Sequence, residues 1–272
     1  MFWGVTFVIR KLSKNDHEQT LNFLLDETIA NLFIIGDILA FGYDEEFQEL
    51  WGDFDDDNSL RGLLLKYHSN FIPYAKGDFD IEGFAKIILE LKPNLENMYM
   101  IGKPEITEQF EKFDAVPGNE KIESYLCEYT EKISEPINFE GIVIKKGGLA
   151  DIPRILELRK TIECFDIHDG MLASMELNFK SGTARHFYIE DNDKIVASVS
   201  TSAENKYGAT IVGVQTNKNY RNRGYASALM TKLITELDNE GKKVGLFYYN
   251  PVAGSIYKKL GFRDISKWNM YK

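Results

Sequence analysis

The sequence predicts an α/β (α+β) chain in which one arrangement, a mixed sheet flanked by helices, occurs twice. Three observations carry that expectation. Apolar runs of period two alternate along the chain with segments of helical spacing. Val8-Ile9-Arg10-Lys11 returns 135 residues later as Val143-Ile144-Lys145-Lys146, and at the same offset Asp16 falls on Asp151 and Leu21 on Leu156. Finally, each half reads as strand, two helical segments, three strands, helix, strand, helix, strand.

The elements follow in order. Residues 5–12 form a strand, and Asn15 or Asp16 caps a helix that places Leu21, Leu24, Leu25 and Ile29 on one face. A second helix covers 32–40. Strands at 47–54 and 60–68 pair across an Asp/Asn/Ser turn, followed by a strand at 71–75. Helix 83–91 stops at Pro93, and strand 98–101, helix 104–113 and strand 122–129 complete the half. Residues 131–138, with Pro136, read as a linker. The second half opens with strand 142–146 and a helix capped by Asp151 with Pro153 in its first turn. A helical region at 170–179 precedes strands at 185–190, 195–201 and 209–216. Helix 222–240 ends at Gly241, then come strand 244–248, helix 252–260 and closing strands near Phe262 and at 268–271.

Composition narrows the function. A 44% hydrophobic and 27% charged chain of 272 residues has the make-up of a globular protein of one large or two ordinary domains. The apolar run 2–9 is too short to span a bilayer and reads as a strand, so neither a signal peptide nor a membrane partner is expected. Cys127 and Cys164 are too few for a disulfide framework and lack metal spacing, so both read as buried inert thiols of a cytoplasmic protein with no metal. Asp53, Asp55 and Asp57 hint at calcium, but Leu64 stands where an EF-hand loop needs Glu, which leaves a polar hairpin turn. Charge is uneven: residues 1–139 carry −15 and residues 140–272 carry +5. An acidic body disfavours nucleic acid, while one small polyanion suits the basic half.

That polyanion has a place. Val212, Gly213, Val214, Gln215 and Thr216 lie on a strand, and Arg221, Asn222, Arg223, Gly224, Tyr225 and Ala226 form a basic turn opening a helix. Unpaired amides and the helix dipole make such a junction an anion site. Alternation puts Val212, Val214 and Thr216 on one face, and a glycine inside the strand marks a bulge or close approach. Neither a P-loop nor a G-x-G-x-x-G pattern is present, and an ordinary solvated strand–helix junction is the alternative.

Arg221-x-x-Gly224-x-Ala226 after a Val-x-Val strand resembles the acyl-CoA pyrophosphate signature of the GNAT N-acyltransferase superfamily. The run from Asn250 through Tyr257 to Phe262 resembles its second signature. The resemblance covers 140–272 well and the first half through its element order. It implies two tandem GNAT-like domains, 1–135 and 140–272, each with a mixed, mostly antiparallel sheet. It also implies acetyl-CoA as co-substrate and N-acetyl transfer to a primary amine. Amides of Gln215 through Ala226 would hold pantetheine and pyrophosphate, with Arg221 and Arg223 neutralising charge. An N–H near Val214 would stabilise the oxyanion, and Tyr257 would protonate the departing thiolate. Tyr257 also shares a helical face with Ala253, Ile256 and Leu260, which would suit a core aromatic, and Asn250 either meets pantetheine or caps the helix. His168, Asp169 and Glu176 stand where a base could sit, although water could serve instead.

In the first half the corresponding loop, 76–83, has three acids and no arginine, so it should repel a pyrophosphate. The first half then reads as a degenerate copy that supports the active half or shapes its cleft. Its acidity suggests a cationic amine acceptor, or simply solubility. Two other classes stay open: a non-catalytic acyl-CoA-binding or regulatory module, and a nucleotide-binding protein.

Overall fold

The structure, a computed structural model, describes residues 8–118, 120–131, 139, 141–162, 167 and 170–272. Most of the expected linker, together with Cys164, His168 and Asp169, lies outside the described residues. The chain forms two compact units, Met1–Leu126 with Ser266–Lys272, and Cys127–Ile265. The sequence-derived segments 1–135 and 140–272 did not anticipate divisions inside strands, nor the return of the last seven residues to the first unit. A short carboxy-terminal strand segment is too brief to reveal its partner by periodicity alone.

The first unit begins with β1 (Val8–Lys11), α1 (His17–Leu25) and α2 (Leu32–Phe41). Ser13 caps the 3₁₀ turn before α1 through a reciprocal capping box with Asp16, so Asp16 itself makes no side-chain cap to α1. Strands β2 (Gln48–Phe54), β3 (Leu60–Tyr67) and β4 (Asn70–Ala75) form antiparallel ladders beside β1. Helix α3 (Ile81–Leu91) leads to β5 (Tyr99–Gly102), which is parallel to β4 and antiparallel to Asn269–Tyr271. Helix α4 (Pro104–Thr107) and a 3₁₀ turn precede β6 (Lys121–Tyr129). Asp55 closes the β2–β3 turn by accepting from the amides of Asp57 and Ser59. Asp53 is no turn residue: it is fully buried, ion-paired with Arg61 at 2.7 Å, and accepts from the Asp80 amide.

The second unit repeats this order. It contains β7 (Lys145–Gly147), α5 (Ile152–Lys160), α6 (Met171–Lys180), β8 (His186–Asp191), β9 (Lys194–Ser202) and β10 (Gly208–Thr216). Then come α7 (Tyr225–Asn239), β11 (Lys243–Tyr248), α8 (Pro251–Lys259) and the start of β12 (Phe262–Tyr271), which from Ser266 on belongs to the first unit. Strands β7 through β10 are antiparallel neighbours, and β11 runs parallel to β10. Asp151 does not cap α5 with its side chain; its carboxylate accepts instead from the Gly148 amide, three residues back.

Helix α7 is held by the stripe Leu229, Met230, Leu233, Ile234 and Leu237, all buried against β9, β10 and β11. Each such side chain contributes about 1.5–3 kcal/mol on burial. The helix starts at Tyr225, not Asn222, because Asn222 and Gly224 take left-handed conformations with φ of 62° and 77°. The intervening turn therefore stays outside the helix and holds its backbone open.

Candidate active site

Strands β10 and β11 pair from Gly208/Lys243 to Ile211/Leu246 and no further. Immediately beyond, β10 bulges: Val212 lies opposite Ser200 but Gln215 lies opposite Ser198, three residues spanning two. Strict alternation across 211–216 is lost for that reason, and Ile211 and Gln215 are buried while Val212, Gly213 and Val214 are half-buried. Backbone groups of 212–216 facing β11 thus leave its ladder, and a polar ligand can take its place.

A cavity of about 630 Å³ fills the opening. Of the residues expected to hold the co-substrate or act on it, all except Arg223 line it: Val212, Val214, Gln215, Thr216, Arg221, Asn222, Gly224, Tyr225, Ala226, Asn250 and Tyr257. Arg223 instead lays its guanidinium 4.9 Å from the Tyr220 ring centre and donates to Asn219 O. Arg221 is exposed, with Nε 3.4 Å from Thr216 O, so its charge stays at the mouth. The N-cap of α7, Gly224, supplies no side-chain cap, so the first-turn amides face the cavity unserved by a side chain. The corresponding helix of the first unit is different. Asp80 caps α3 by accepting from the Gly83 amide at 2.9 Å, so a carboxylate already holds the place an anion would take.

The far wall is aromatic. Tyr257 and Tyr248 are each 8% exposed, with ring centres 5.9 Å apart in an edge-on contact, and Tyr257 meets Phe262 in the same way at 6.3 Å. Tyr248 donates to Asp264 at 3.0 Å, where Lys258 and the Cys127 thiol also converge. Burial, then Asp264, pushes the Cys127 thiol far up, which keeps it inert. Asn250 accepts from the Val252 amide at 2.9 Å, so its side chain caps α8 while the residue borders the cavity. Glu176 pairs with Lys180 on α6 and does not line the cavity. Sequence reasoning missed Tyr248 and Ile162. Only the position of Tyr248, two residues before the second signature, could have flagged either of them.

Close packing behind this wall yields a prediction. A Cβ on Gly254 would stand 2.3, 2.7 and 2.9 Å from atoms of the Tyr248 ring. Gly254→Ala gains about 1 kcal/mol of helix propensity but overpacks a ring held by Asp264 and Tyr257, at a cost of about 1–3 kcal/mol. A net loss of about 1 kcal/mol is expected in denaturant melts. A more stable variant would show that the wall yields.

Comparison with known proteins bears on the family and the fold. The model of the acetyltransferase (GNAT) family matches residues 152–262, from α5 to the first residue of β12. None of the functionally curated proteins matches the chain. Three solved structures share its fold at low identity. A GCN5-related N-acetyltransferase from Sphaerobacter thermophilus is 13% identical with a TM-score of 0.63, over 97% of this chain and 94% of that one. A tandem GNAT protein from the clavulanic acid biosynthesis pathway is 11% identical with a TM-score of 0.61, over 98% of each. A Drosophila protein is 10% identical with a TM-score of 0.67, over 98% and 99%. Among the described residues no helix is long and apolar enough to cross a membrane, and no group of His, Cys, Asp and Glu could hold a metal ion. The segment 152–262 thus matches the GNAT acetyltransferase family model, and 98% of the chain shares its fold with a tandem GNAT protein.

Proposed function

We propose that the protein transfers an acetyl group from acetyl-CoA to a primary amine by direct attack. The activity is assigned to residues 140–272, and 1–135 is a degenerate copy without its own cofactor site. The observation that carries this reading is the parting of β10 from β11 at the bulge, beside the uncapped amino end of α7 and Tyr257. The chain's groups fit the co-substrate: open backbone along 212–216 for an extended amide-bearing arm, and helix amides with Arg221 for a pyrophosphate.

A bound thioester supplies an activated carbonyl carbon. The residues around it would do three things. The backbone N–H near Val214 donates to the carbonyl oxygen as negative charge grows there. The apolar wall of Val212, Ile256 and Tyr248 excludes water, so the amine is the nucleophile that reaches the carbon. As the N–C bond forms and the C–S bond breaks, Tyr257 gives its phenolic proton to the departing thiolate, and the amine proton leaves to water.

Release of free thiol on mixing the protein, acetyl-CoA and a panel of amines tests the reading, with calorimetric titration of acetyl-CoA beside it. Tight binding with no thiol release from any amine would return the protein to the binding-module class. Arg221→Ala should weaken acetyl-CoA about tenfold, the lower end for a charge-assisted contact because the side chain is exposed. Unchanged affinity would remove Arg221 from the site.

A further inference from the structure

The ground beside the bulge is polar in a way that acetyl-CoA does not use. Arg159 stands on the last turn of α5, largely buried, behind the cavity wall: Ile162 and Gly213 border the cavity and Arg159 does not. The Arg159 Nη2 atom lies 2.3 Å from where a Cβ on Gly213 would stand. Gly213 also has φ of +59°. Glycine there both permits the bulge and leaves room for a guanidinium against it. Ser200 Oγ lies 4.0 Å from the same point and 2.7 Å from His186 Nδ1. His186 is 2% exposed, and burial followed by the Arg159 charge brings its pKa down to about 4, so it stays neutral near pH 7. Among the described residues His186 Nε2 and Gln215 Oε1 are buried with no hydrogen-bond partner. Buried polar atoms are normally satisfied, so unused capacity on His186, beside the Arg159 charge, and on Gln215, two residues from Gly213, suits a polar ligand.

We infer that the acceptor is an amine carrying a carboxylate close to its nitrogen, an α- or β-amino acid, and that Arg159 receives the carboxylate. The inference rests on the acyl-transfer reading above. Gly213 directly precedes Val214, the residue assigned to the developing oxyanion. A group held by Arg159 and a nitrogen attacking the acyl carbon are therefore only a few bonds apart. A planar guanidinium matches a carboxylate in two parallel hydrogen bonds. It repels an ammonium group at the same spot. The −15 charge summed over residues 1–139 places no carboxylate at the bulge, whereas Arg159 lies against it.

Thiol release should be measured with the common amino acids, their methyl esters and spermidine, using the wild type, Arg159→Gln and Arg159→Lys. Free amino acids should exceed their esters by 10- to 100-fold in kcat/KM, the range for a charge-assisted contact. Arg159→Gln should erase that preference while acetyl-CoA affinity holds, and Arg159→Lys should restore part of it. Esters or spermidine used as well as free amino acids would overturn the inference. A wild-type preference for succinyl-CoA over acetyl-CoA that Arg159→Gln abolishes would also overturn it, because the carboxylate would then belong to the acyl donor. Thermal melting of the acetyl-CoA complex separates this inference from the activity itself. If no amine releases thiol, a melting shift by free amino acids that esters and Arg159→Gln lack upholds the carboxylate site, and no shift overturns it.

Discussion

Tyr257→Phe is expected to lower kcat about 100-fold while leaving acetyl-CoA affinity and the melting temperature unchanged. The ring is what the fold uses. Its edge-on contacts with Tyr248 and Phe262 are made by the aromatic ring, which phenylalanine keeps. The hydroxyl is what the chemistry would use. A thiolate leaving without a proton donor is a poorer leaving group, and general acid catalysis is worth about 10²–10⁴ in rate. Steady-state thiol release gives kcat, and calorimetry gives the affinity. A fall in kcat of less than about threefold would make Tyr257 a core aromatic and water the acid, in keeping with ordinary non-catalytic substitutions. A parallel loss of stability would point to packing instead.

How much of this site could be read from the chain differs by residue, for physical reasons. The turn through Arg221, Asn222 and Gly224 was legible because left-handed backbone and anion binding both restrict residue type, and the restriction shows locally. The bulge was half legible: Gly213 announced it, but the register shift depends on β9, which local periodicity does not register. Asp151 and Asp16 were placed at helix starts correctly, yet both carboxylates turn back to the amide three residues earlier. One residue type serves either role, so sequence alone could not choose between them. Arg159 was not legible at all. It follows the buried Ile155, Leu156 and Leu158 on α5 and looks like the solvated end of an amphipathic helix. Only the missing Cβ on Gly213, 54 residues away, reveals where its guanidinium goes. In the first unit the repeat was legible as element order, and the acidic loop at 76–83 proved informative in its detail. Asp80 occupies the amino end of α3 in the manner of a bound anion.

Arg185→Met should cost the second unit about 3–5 kcal/mol, the range for breaking a buried ion pair from one side. Arg185 lies just before β8, and its side chain is 14% exposed. Its Nε donates to Glu204 at 2.9 Å, and its terminal nitrogens donate to Glu236 at 3.3 Å and Glu240 at 2.7 Å. Glu204 is 6% exposed and also accepts from Lys242 and Thr201. The cluster joins the approach to β8, the turn after β9, the end of α7 and the residue before β11. Exposed pairs such as Lys160–Glu157 are worth about 0–1 kcal/mol, so the burial of Glu204 makes this one matter. The pH dependence distinguishes charge from packing. Burial alone would raise the Glu204 carboxyl, but Arg185, Lys242 and Thr201 bring it below its usual value, and Arg185 foremost holds Glu240 at about 2. Both carboxylates are depressed in the folded state. Their contribution is therefore present above the ordinary carboxylate pKa and fades as pH falls toward the folded values. In the methionine variant Glu204 loses its main partner, and its burial then favours the protonated form. Acid relieves that penalty. The melting temperature should thus fall by about 10 °C at pH 8 and by clearly less at pH 5. A deficit equal at both values would mean that the arginine stem, and not its charge, supports the cluster.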